Sequence, residues 1–294
     1  MYSAIAANKR NTMYIMVAFV AIIGAIGWAF SYIMYGNSSL APIIIIVAAL
    51  YALIQYFAAG KLAVATTGAV EVEKRDNPRF YRIVENLAIT TGINTPRVYI
   101  INDPAPNAFA TGRDPKHAIV AATSGLLDLM DDSELEAVMA HEMGHVQNYD
   151  IRVSMIAFGL VSAIGLISDI VLRTMFFGGD RRDSNNNSPV MFIIGLVVVI
   201  LAPIAALMVQ MAISRQREYL ADATSAMTTR NPEAMESALA KLEQFGRPMQ
   251  KQSTSTAHLF IANPLKPGGF NKLFSTHPPL QDRIDRLRKN EGKF

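Results

Sequence analysis

The residues best suited to chemistry lie near the middle of the sequence, in the segment LEAVMAHEMGH, which contains a His-Glu-x-x-His motif. His141 and His145 are four residues apart, so on a helix they share one face and can both reach a single metal ion. Glu142 lies beside them, where it can take a proton from a water that zinc has made more acidic. The motif predicts a hydrolytic zinc site rather than two surface histidines on an ordinary amphipathic helix.

The residues just before the motif predict how its helix begins. Ser133 and Glu136 match a capping box, in which each side chain accepts a hydrogen bond from the backbone of the other residue. Asp131 and Asp132 place negative charge at the positive end of the helix dipole. We therefore expect a helix capped by Ser133 that continues through the motif.

Composition limits the available ligands and functions. The chain has 294 residues, five histidines and no cysteine, so disulfides and thiolate zinc sites are excluded and a zinc ion must be held by histidine and carboxylate. Hydrophobic residues make up 51% of the chain and are clumped into long runs, which is typical of a membrane protein. The net charge of +3 and the absence of an aromatic-basic RNA motif argue against a nucleic-acid partner.

Four apolar runs divide the chain. Residues 13–35 and 40–59 are long enough to cross a bilayer and predict an N-terminal transmembrane hairpin. Residues 155–172 and 190–213 predict two further transmembrane helices, or a hairpin that dips into the membrane without spanning it. The expected domains are a hairpin over 1–60, a first catalytic part over 61–154, a second hairpin over 155–213 and a second catalytic part over 214–294.

The soluble segments predict a mostly helical α+β fold. Two helices, from Asn77 to Gly92 and from Asn231 to Gly246, each begin with Asn-Pro and end at glycine. Residues 97–101 and 117–122 predict strands, and residues 280–290 predict a charged final helix. A small sheet is thus expected to precede the motif helix.

A third metal ligand must come from outside the motif, because catalytic zinc sites usually combine three protein ligands with an open position. His117 and His258 have no helpful context. Glu218 and Asp222 share a helical face one turn apart, so one could bind the metal while the other orients a ligand histidine. From spacing alone, a solvated pair of carboxylates on a polar helix is the simpler interpretation.

The sequence resembles the HtpX family of bacterial heat-shock membrane proteases, which are relatives of the zinc-dependent CAAX prenyl proteases. The resemblance covers nearly the whole chain. It implies one zinc ion per chain held by His141, His145 and Glu218, with Glu142 as the catalytic base. It also implies a polytopic membrane protein with a thermolysin-like α+β protease domain. The matching segments are the apolar runs, NAFATG at 107–112, the stretch 134–148, EYLAD at 218–222 and THP at 276–278.

Five more residues have predicted roles, and those of Asn107, Ala108 and His277 rest on the resemblance. Asp222 would accept a hydrogen bond from a ligand histidine, and Arg283 would anchor the final helix. Asn107 and Ala108 would hold the substrate backbone along an exposed strand edge, with a turn as the alternative. His277 would donate to the oxyanion that forms on the scissile carbonyl, or would be a buried histidine that satisfies backbone groups.

The expected function is zinc-dependent cleavage of peptide bonds in membrane proteins, and its assignment to quality control or stress response comes only from the resemblance. A prenyl-peptide protease and a non-enzymatic, zinc-stabilised membrane scaffold are the alternatives. Glu142 argues against a scaffold, because a structural zinc site needs no base.

Basic residues predict the orientation in the membrane. Lys9 and Arg10 precede the first apolar run, and Lys61, Lys74 and Arg75 follow the second, whereas the turn between the two runs has no basic residue. The positive-inside rule therefore places both flanks in the cytoplasm. We expect an integral protein of the bacterial inner membrane with its catalytic site facing the cytoplasm, and with lipid and membrane-protein substrates as partners.

Overall fold

The structure is a computed structural model that describes residues 2–35, 37–160, 215–251, 253, 255–265, 277–290 and 292. Most of the predicted second hairpin, residues 161–213, lies outside these residues, as does Thr276. The spanning hairpin and its re-entrant alternative therefore both stay predictions.

Two long helices, α1 (Tyr2–Tyr35) and α2 (Ala41–Thr67), open the chain and pack against each other. Within the described residues, one segment is long and apolar enough to cross a membrane, Ala41–Ala58, with a mean hydropathy of 2.1. Only 22% of that segment is buried, and side chains such as Ile46 and Phe57 are exposed. An exposed apolar surface is expected where lipid covers a helix. A second span, by α1, stays a prediction.

One sheet precedes the motif helix, with the strand order β1-β2-β4-β3. β2 and β4 are parallel, with Val98 opposite Val120, and the outer pairs are antiparallel. The strand predicted over 97–101 is confirmed with the same bounds. The four strands are β1 (Val70–Glu71), β2 (Arg97–Ile101), β3 (Ala108–Thr111) and β4 (Ile119–Thr123).

The strand predicted over 117–122 begins later than expected, at Ile119. Asp114 caps a short 3₁₀ turn at Pro115–His117, and its Oδ1 accepts a hydrogen bond from the His117 backbone N–H at 3.0 Å. Local capping of this kind competes with sheet pairing. The His117 backbone N–H donates to Asp114 and is therefore not available for a strand that begins at residue 117.

The strands β2, β3 and β4 each contribute to two apolar cores, because successive side chains point to opposite sides of a sheet. In β4, Ile119 and Ala121 face a core shared with α1 and α2, and Val120 and Ala122 face a second core built by the remaining helices. The sheet therefore connects the N-terminal helices to the catalytic helices.

Three of the remaining helices match predicted segments, whereas the short helix Ser124–Leu129 was not predicted. Asn77 and Asn231 cap two of them by accepting from the backbone N–H three residues later, and Gly92 ends the first with a φ of 68°. The predicted helices from Asn77, from Asn231 and over 280–290 are thus confirmed. The helices are α3 (Pro78–Thr91), α4 (Ser124–Leu129), α5 (Asp132–Gln147), α6 (Arg215–Thr229), α7 (Pro232–Phe245) and α8 (Leu280–Asn290), and residues 150–160 are also helical.

The motif helix α5 is capped differently from the prediction. Asp131 is the cap: its Oδ1 accepts from the Glu134 backbone N–H, and Glu134 Oε2 accepts from the Asp131 backbone N–H, each at 2.9 Å. The expected box of Ser133 and Glu136 is wrong. Tertiary contact sets the register, because the buried Glu134 carboxylate also accepts from Ser237 and Lys241 of α7 at 2.6 Å each.

The two capping assignments give different outcomes in mutagenesis. Asp131→Ala removes a side-chain acceptor from the first turn of α5 and should lower the free energy of unfolding by about 1 kcal/mol. Ser133→Ala should change it by less than about 0.5 kcal/mol, because that hydroxyl donates only to Asp131 Oδ1 at the surface. Thermal unfolding of the full chain in detergent measures both, and a larger loss at Ser133 would restore the original assignment.

Candidate active site

The two motif histidines and Glu218 converge on one point. On α5, His141 Nε2 and His145 Nε2 lie 3.2 Å apart. On α6, the Glu218 carboxylate oxygens lie 3.7 Å from His141 Nε2 and 3.6 Å from His145 Nε2. A tetrahedral zinc ion with bonds of about 2.0–2.1 Å needs ligand atoms about 3.3 Å from one another. The spacing of these three side chains fits such an ion.

The bonding state of Glu218 also fits a metal. Glu218 is 4% exposed, and its Oε2 has no hydrogen-bond partner among the described residues. Burial acts to raise the pKa of Glu218, but the charges of His277 and His145 hold that pKa well below its usual range. The Arg283 guanidinium also lies 3.7 Å from Oε2, yet no group of the described residues donates a hydrogen bond to this oxygen, so it can still bind a metal. Glu218 is therefore suited to be the third ligand.

His141 is oriented by a buried ion pair. Its Nδ1 lies 2.9 Å from Asp222 Oδ1, which leaves Nε2 facing the metal position. Arg283 of α8, which is fully buried, donates to both Asp222 oxygens, from Nε at 2.9 Å and from Nη2 at 2.6 Å. Burial and the charge of Arg283 lower the pKa of His141 to about 4, so its imidazole is neutral, which is the metal-binding form. Asp222 and Arg283 thus lie beside the ligand His141.

Glu142 lies in the cavity that the three ligand side chains line. It is 2% exposed, and burial raises its pKa to about 7. A group with a pKa near the working pH exchanges protons efficiently in both directions. The carboxyl group is therefore placed and tuned to act as a base towards a water in this cavity.

His277 joins the same cavity from the loop before α8. Its Nδ1 lies 3.1 Å from Glu218 Oε2 without hydrogen-bond geometry, and neither ring nitrogen has a hydrogen-bond partner within the described residues. That finding opposes the alternative of a histidine that satisfies backbone groups. A role as donor to an oxyanion stays a prediction.

The other two histidines differ from each other. His258 also lines the cavity, but its Nε2 lies 3.0 Å from the Ser154 carbonyl oxygen, and burial lowers its pKa to about 4. His117 is outside the site and pairs with Asp114 at the surface. Neither is placed among the ligands, in agreement with the sequence analysis.

The predicted substrate edge is covered rather than exposed. The Asn107 side chain donates to the Ala262 carbonyl oxygen at 2.8 Å and accepts from the Ala262 backbone N–H at 3.2 Å. Ile261 donates its backbone N–H to the Ala108 carbonyl oxygen at 2.9 Å, and Phe260 pairs with Phe109 in an antiparallel bridge. The expectation of an exposed edge is wrong, because a segment of the chain itself satisfies the unpaired backbone of β3. We call residues 257–262 the covering segment.

Sequence analysis missed two features of the site. Asp150 lies 3.0 Å from His145 Nδ1, and it is the second carboxylate that orients a motif histidine. Its only signal in the sequence is an acidic residue shortly after the motif. The covering segment had no signal, because its contacts to β3 join residues more than 150 positions apart in the chain.

Comparisons with known proteins agree with this geometry. Residues 74–291 match the model of peptidase family M48. A protease HtpX homolog from Tropheryma whipplei (strain Twist) is 58% identical over 294 residues, covering all of both chains. Another from Streptococcus gordonii is 46% identical over 297 residues, covering 98% of this chain and 99% of the relative.

A solved structure has the same fold. The crystal structure of S. mikatae Ste24p superposes with a TM-score of 0.51 at 17% identity, over 98% of this chain and 67% of that one. At that identity the likeness concerns the fold alone. The family match, the close relatives and the group of His141, His145 and Glu218 agree. The chain is a metalloprotease of peptidase family M48.

Proposed function

We propose that this chain is a zinc-dependent endopeptidase of the bacterial inner membrane that cleaves membrane proteins on the cytoplasmic side, in quality control or stress response. The observation that carries the proposal is the convergence of His141, His145 and Glu218 in a buried cavity that also contains Glu142. Membrane proteins as substrates, the inner membrane and the stress role come from the family resemblance and the apolar runs.

The donor set favours zinc over other divalent ions. Two imidazoles and one carboxylate, in a chain without a cysteine thiolate, form a common catalytic zinc set. Magnesium and calcium prefer oxygen ligands at six or more positions. The three side chains leave a fourth position open, as a hydrolytic site requires.

The mechanism follows from where the side chains lie. Zinc, when bound, would polarise the scissile carbonyl and increase the acidity of water. Glu142 takes the proton of the attacking water and passes it to the leaving amine. Asp222 and Asp150 hold the two histidines with Nε2 towards the metal position. His277 donates to the carbonyl oxygen as negative charge develops there.

The substrate backbone would bind along β3, where Asn107 and Ala108 now bind the covering segment. Both residues already form hydrogen bonds with the backbone of another segment, which supports strand addition by a peptide at this edge. Leu259 and Ile261 of the covering segment line the catalytic cavity. A peptide that pairs with β3 therefore has to displace this segment.

The alternative functions have weaker support. A scaffold does not need a base, yet Glu142 is buried in the cavity with the ligand residues. The likeness to Ste24p is confined to the fold and gives no support for prenylated substrates. The site therefore supports proteolysis, and membrane proteins as substrates follow from the resemblance.

Substitutions of Glu142 and Glu218 should separate zinc binding from peptide hydrolysis. Glu142→Gln should keep one zinc ion per chain and lose peptide hydrolysis, because an amide cannot accept the proton. Glu218→Ala should lose the metal, because it removes one of three ligands. Zinc content by elemental analysis and cleavage of casein measure these effects. Retained hydrolysis in Glu142→Gln, or wild-type zinc affinity in Glu218→Ala, would contradict the assigned roles.

If a peptide has to displace the covering segment, a variant that holds this segment less firmly should bind substrate more tightly. Ile261→Pro removes the backbone donor to Ala108 and should lower KM for an extended peptide about 2- to 10-fold relative to Ile261→Ala, which keeps that donor. Ile261→Ala is the matched control for the lost side chain. If Ile261→Pro raises KM relative to this control, the segment is a fixed wall of the substrate site.

The proposed orientation predicts which positions react from outside the cell. The chain has no native cysteine, so single cysteines report their own positions. Ser38→Cys, in the turn between α1 and α2, should react with an impermeant maleimide added to intact cells. Thr90→Cys, exposed at the end of α3, should react only after the membrane is permeabilised. The reverse pattern would place the catalytic site outside.

A further inference from the structure

Each motif histidine has its own orienting carboxylate, and the one beside His145 is Asp150. Asp150 Oδ2 lies 3.0 Å from His145 Nδ1, and the Asp150 side chain is only 6% exposed. Nδ1 is thereby occupied, and Nε2 faces Glu218 and His141. Carboxylates that hold ligand histidines in this way fix both the tautomer and the ring orientation.

An unusual backbone conformation brings Asp150 to this place. Helix α5 ends at Gln147, and Tyr149 then adopts a φ of 61°, a left-handed conformation that is uncommon for a residue other than glycine. The turn directs the chain into the helical residues 150–160 and returns Asp150 to the side of His145. Such strain persists only where surrounding contacts enforce it, and it is frequent at functional sites.

The second oxygen of Asp150 is held by the N-terminal helix. Asn8 of α1 donates from Nδ2 to Asp150 Oδ1 at 2.6 Å and to the Asn148 carbonyl oxygen at 2.8 Å. Arg217 donates to Asn8 Oδ1 at 3.4 Å, and its Nη1 also lies 3.7 Å from Asp150 Oδ1. Asn8 is 4% exposed, and both its amide hydrogens and its oxygen have partners. The contact is a buried and satisfied network.

We propose that Asn8 is a positioning residue of the metal site, which acts through Asp150 on the ligand His145. Asn8 is a neutral donor, so it fixes the Asp150 carboxylate and leaves its charge available to the imidazole. The amide comes from the helix that leads into the first apolar run. The N-terminal helix is thus part of the catalytic centre as well as a membrane element. This inference rests on the proposed zinc site.

The simplest opposing view is that Asn8 only docks α1 against the Asn148 carbonyl. The two views differ in how Asn8 and Asp150 combine. If Asn8 acts through Asp150, its removal has no further effect once the Asp150 carboxylate is gone. If Asn8 only docks the helix, the losses in zinc-binding free energy caused by removing Asn8 and by removing the Asp150 carboxylate add.

The test measures zinc affinity, by competition with a chelator, in the full chain in detergent with Glu142→Gln as the parent. This parent does not digest itself, and the readout is independent of activity. Asp150→Ala should weaken zinc binding about 10- to 100-fold. Asn8→Ala should weaken it about 3- to 10-fold, because the carboxylate remains but is held less firmly. The double variant should match Asp150→Ala alone.

Ile15→Ala is the matched control. Ile15 lies about two turns further along the same buried face of α1, is 3% exposed and packs in the apolar core that α1 shares with the sheet. Its truncation loosens the docking of α1 without removing a polar group of the network and should leave zinc affinity unchanged. Asn8→Leu keeps the shape of the side chain without the amide. It should weaken zinc binding as much as Asn8→Ala does, and it replaces that variant if Asn8→Ala impairs folding.

The outcomes are distinct. Unchanged zinc affinity in Asn8→Leu, or additive losses in the double variant, would overturn the role of Asn8 and leave the zinc protease intact. A parent that binds no zinc would instead overturn the proposed function. The network would be established if Asn8→Leu weakens zinc affinity, Ile15→Ala does not, and Asn8→Leu has no further effect in the Asp150→Ala background.

Discussion

The catalytic centre depends on a buried ion pair between Arg283 and Asp222. Arg283 is fully buried and holds both Asp222 oxygens, so it connects α8 to α6, and Asp222 then connects α6 to His141 of α5. Although burial acts to raise it, the pKa of Asp222 stays below its usual range because of the Arg283 charge. Removing one partner would leave the other charge unpaired in the core, a large penalty. Three helices are thereby held in one arrangement.

Buried charges also need partners around His145, the second histidine of the motif. Glu218, Glu142, Asp150 and His145 bring several ionisable groups into one buried region, which is stable only if each has a partner. Burial acts to lower the pKa of His145, but the hydrogen bond to Asp150 and the charge of Glu218 raise it to about 9. With this pKa the free His145 imidazole carries a proton on each ring nitrogen at neutral pH. A metal that binds Nε2 must displace the Nε2 proton, so metal binding and the ionic network are coupled.

The position of α5 explains why a mostly helical protein also needs a sheet. α5 is buried along most of its length and packs against α3, α6, α7 and β3. The opposite face of the sheet packs on α1, α2 and residues 153–160. The N-terminal helices and the metal helix therefore share one sheet, and Asn8 adds a direct polar link between α1 and Asp150.

Features that depend on neighbours along the chain could be predicted from local sequence. The spacing of His141 and His145, the Asn-Pro starts and the strand at 97–101 rest on local geometry, and each was placed correctly. Tertiary structure decided the rest. The capping register of α5 follows from the contacts of Glu134 with α7, and the cover over β3 comes from the distant residues 257–262. Asn8 meets Asp150 across 142 positions. Such pairs leave no periodicity in the sequence, because only the folded chain brings them together.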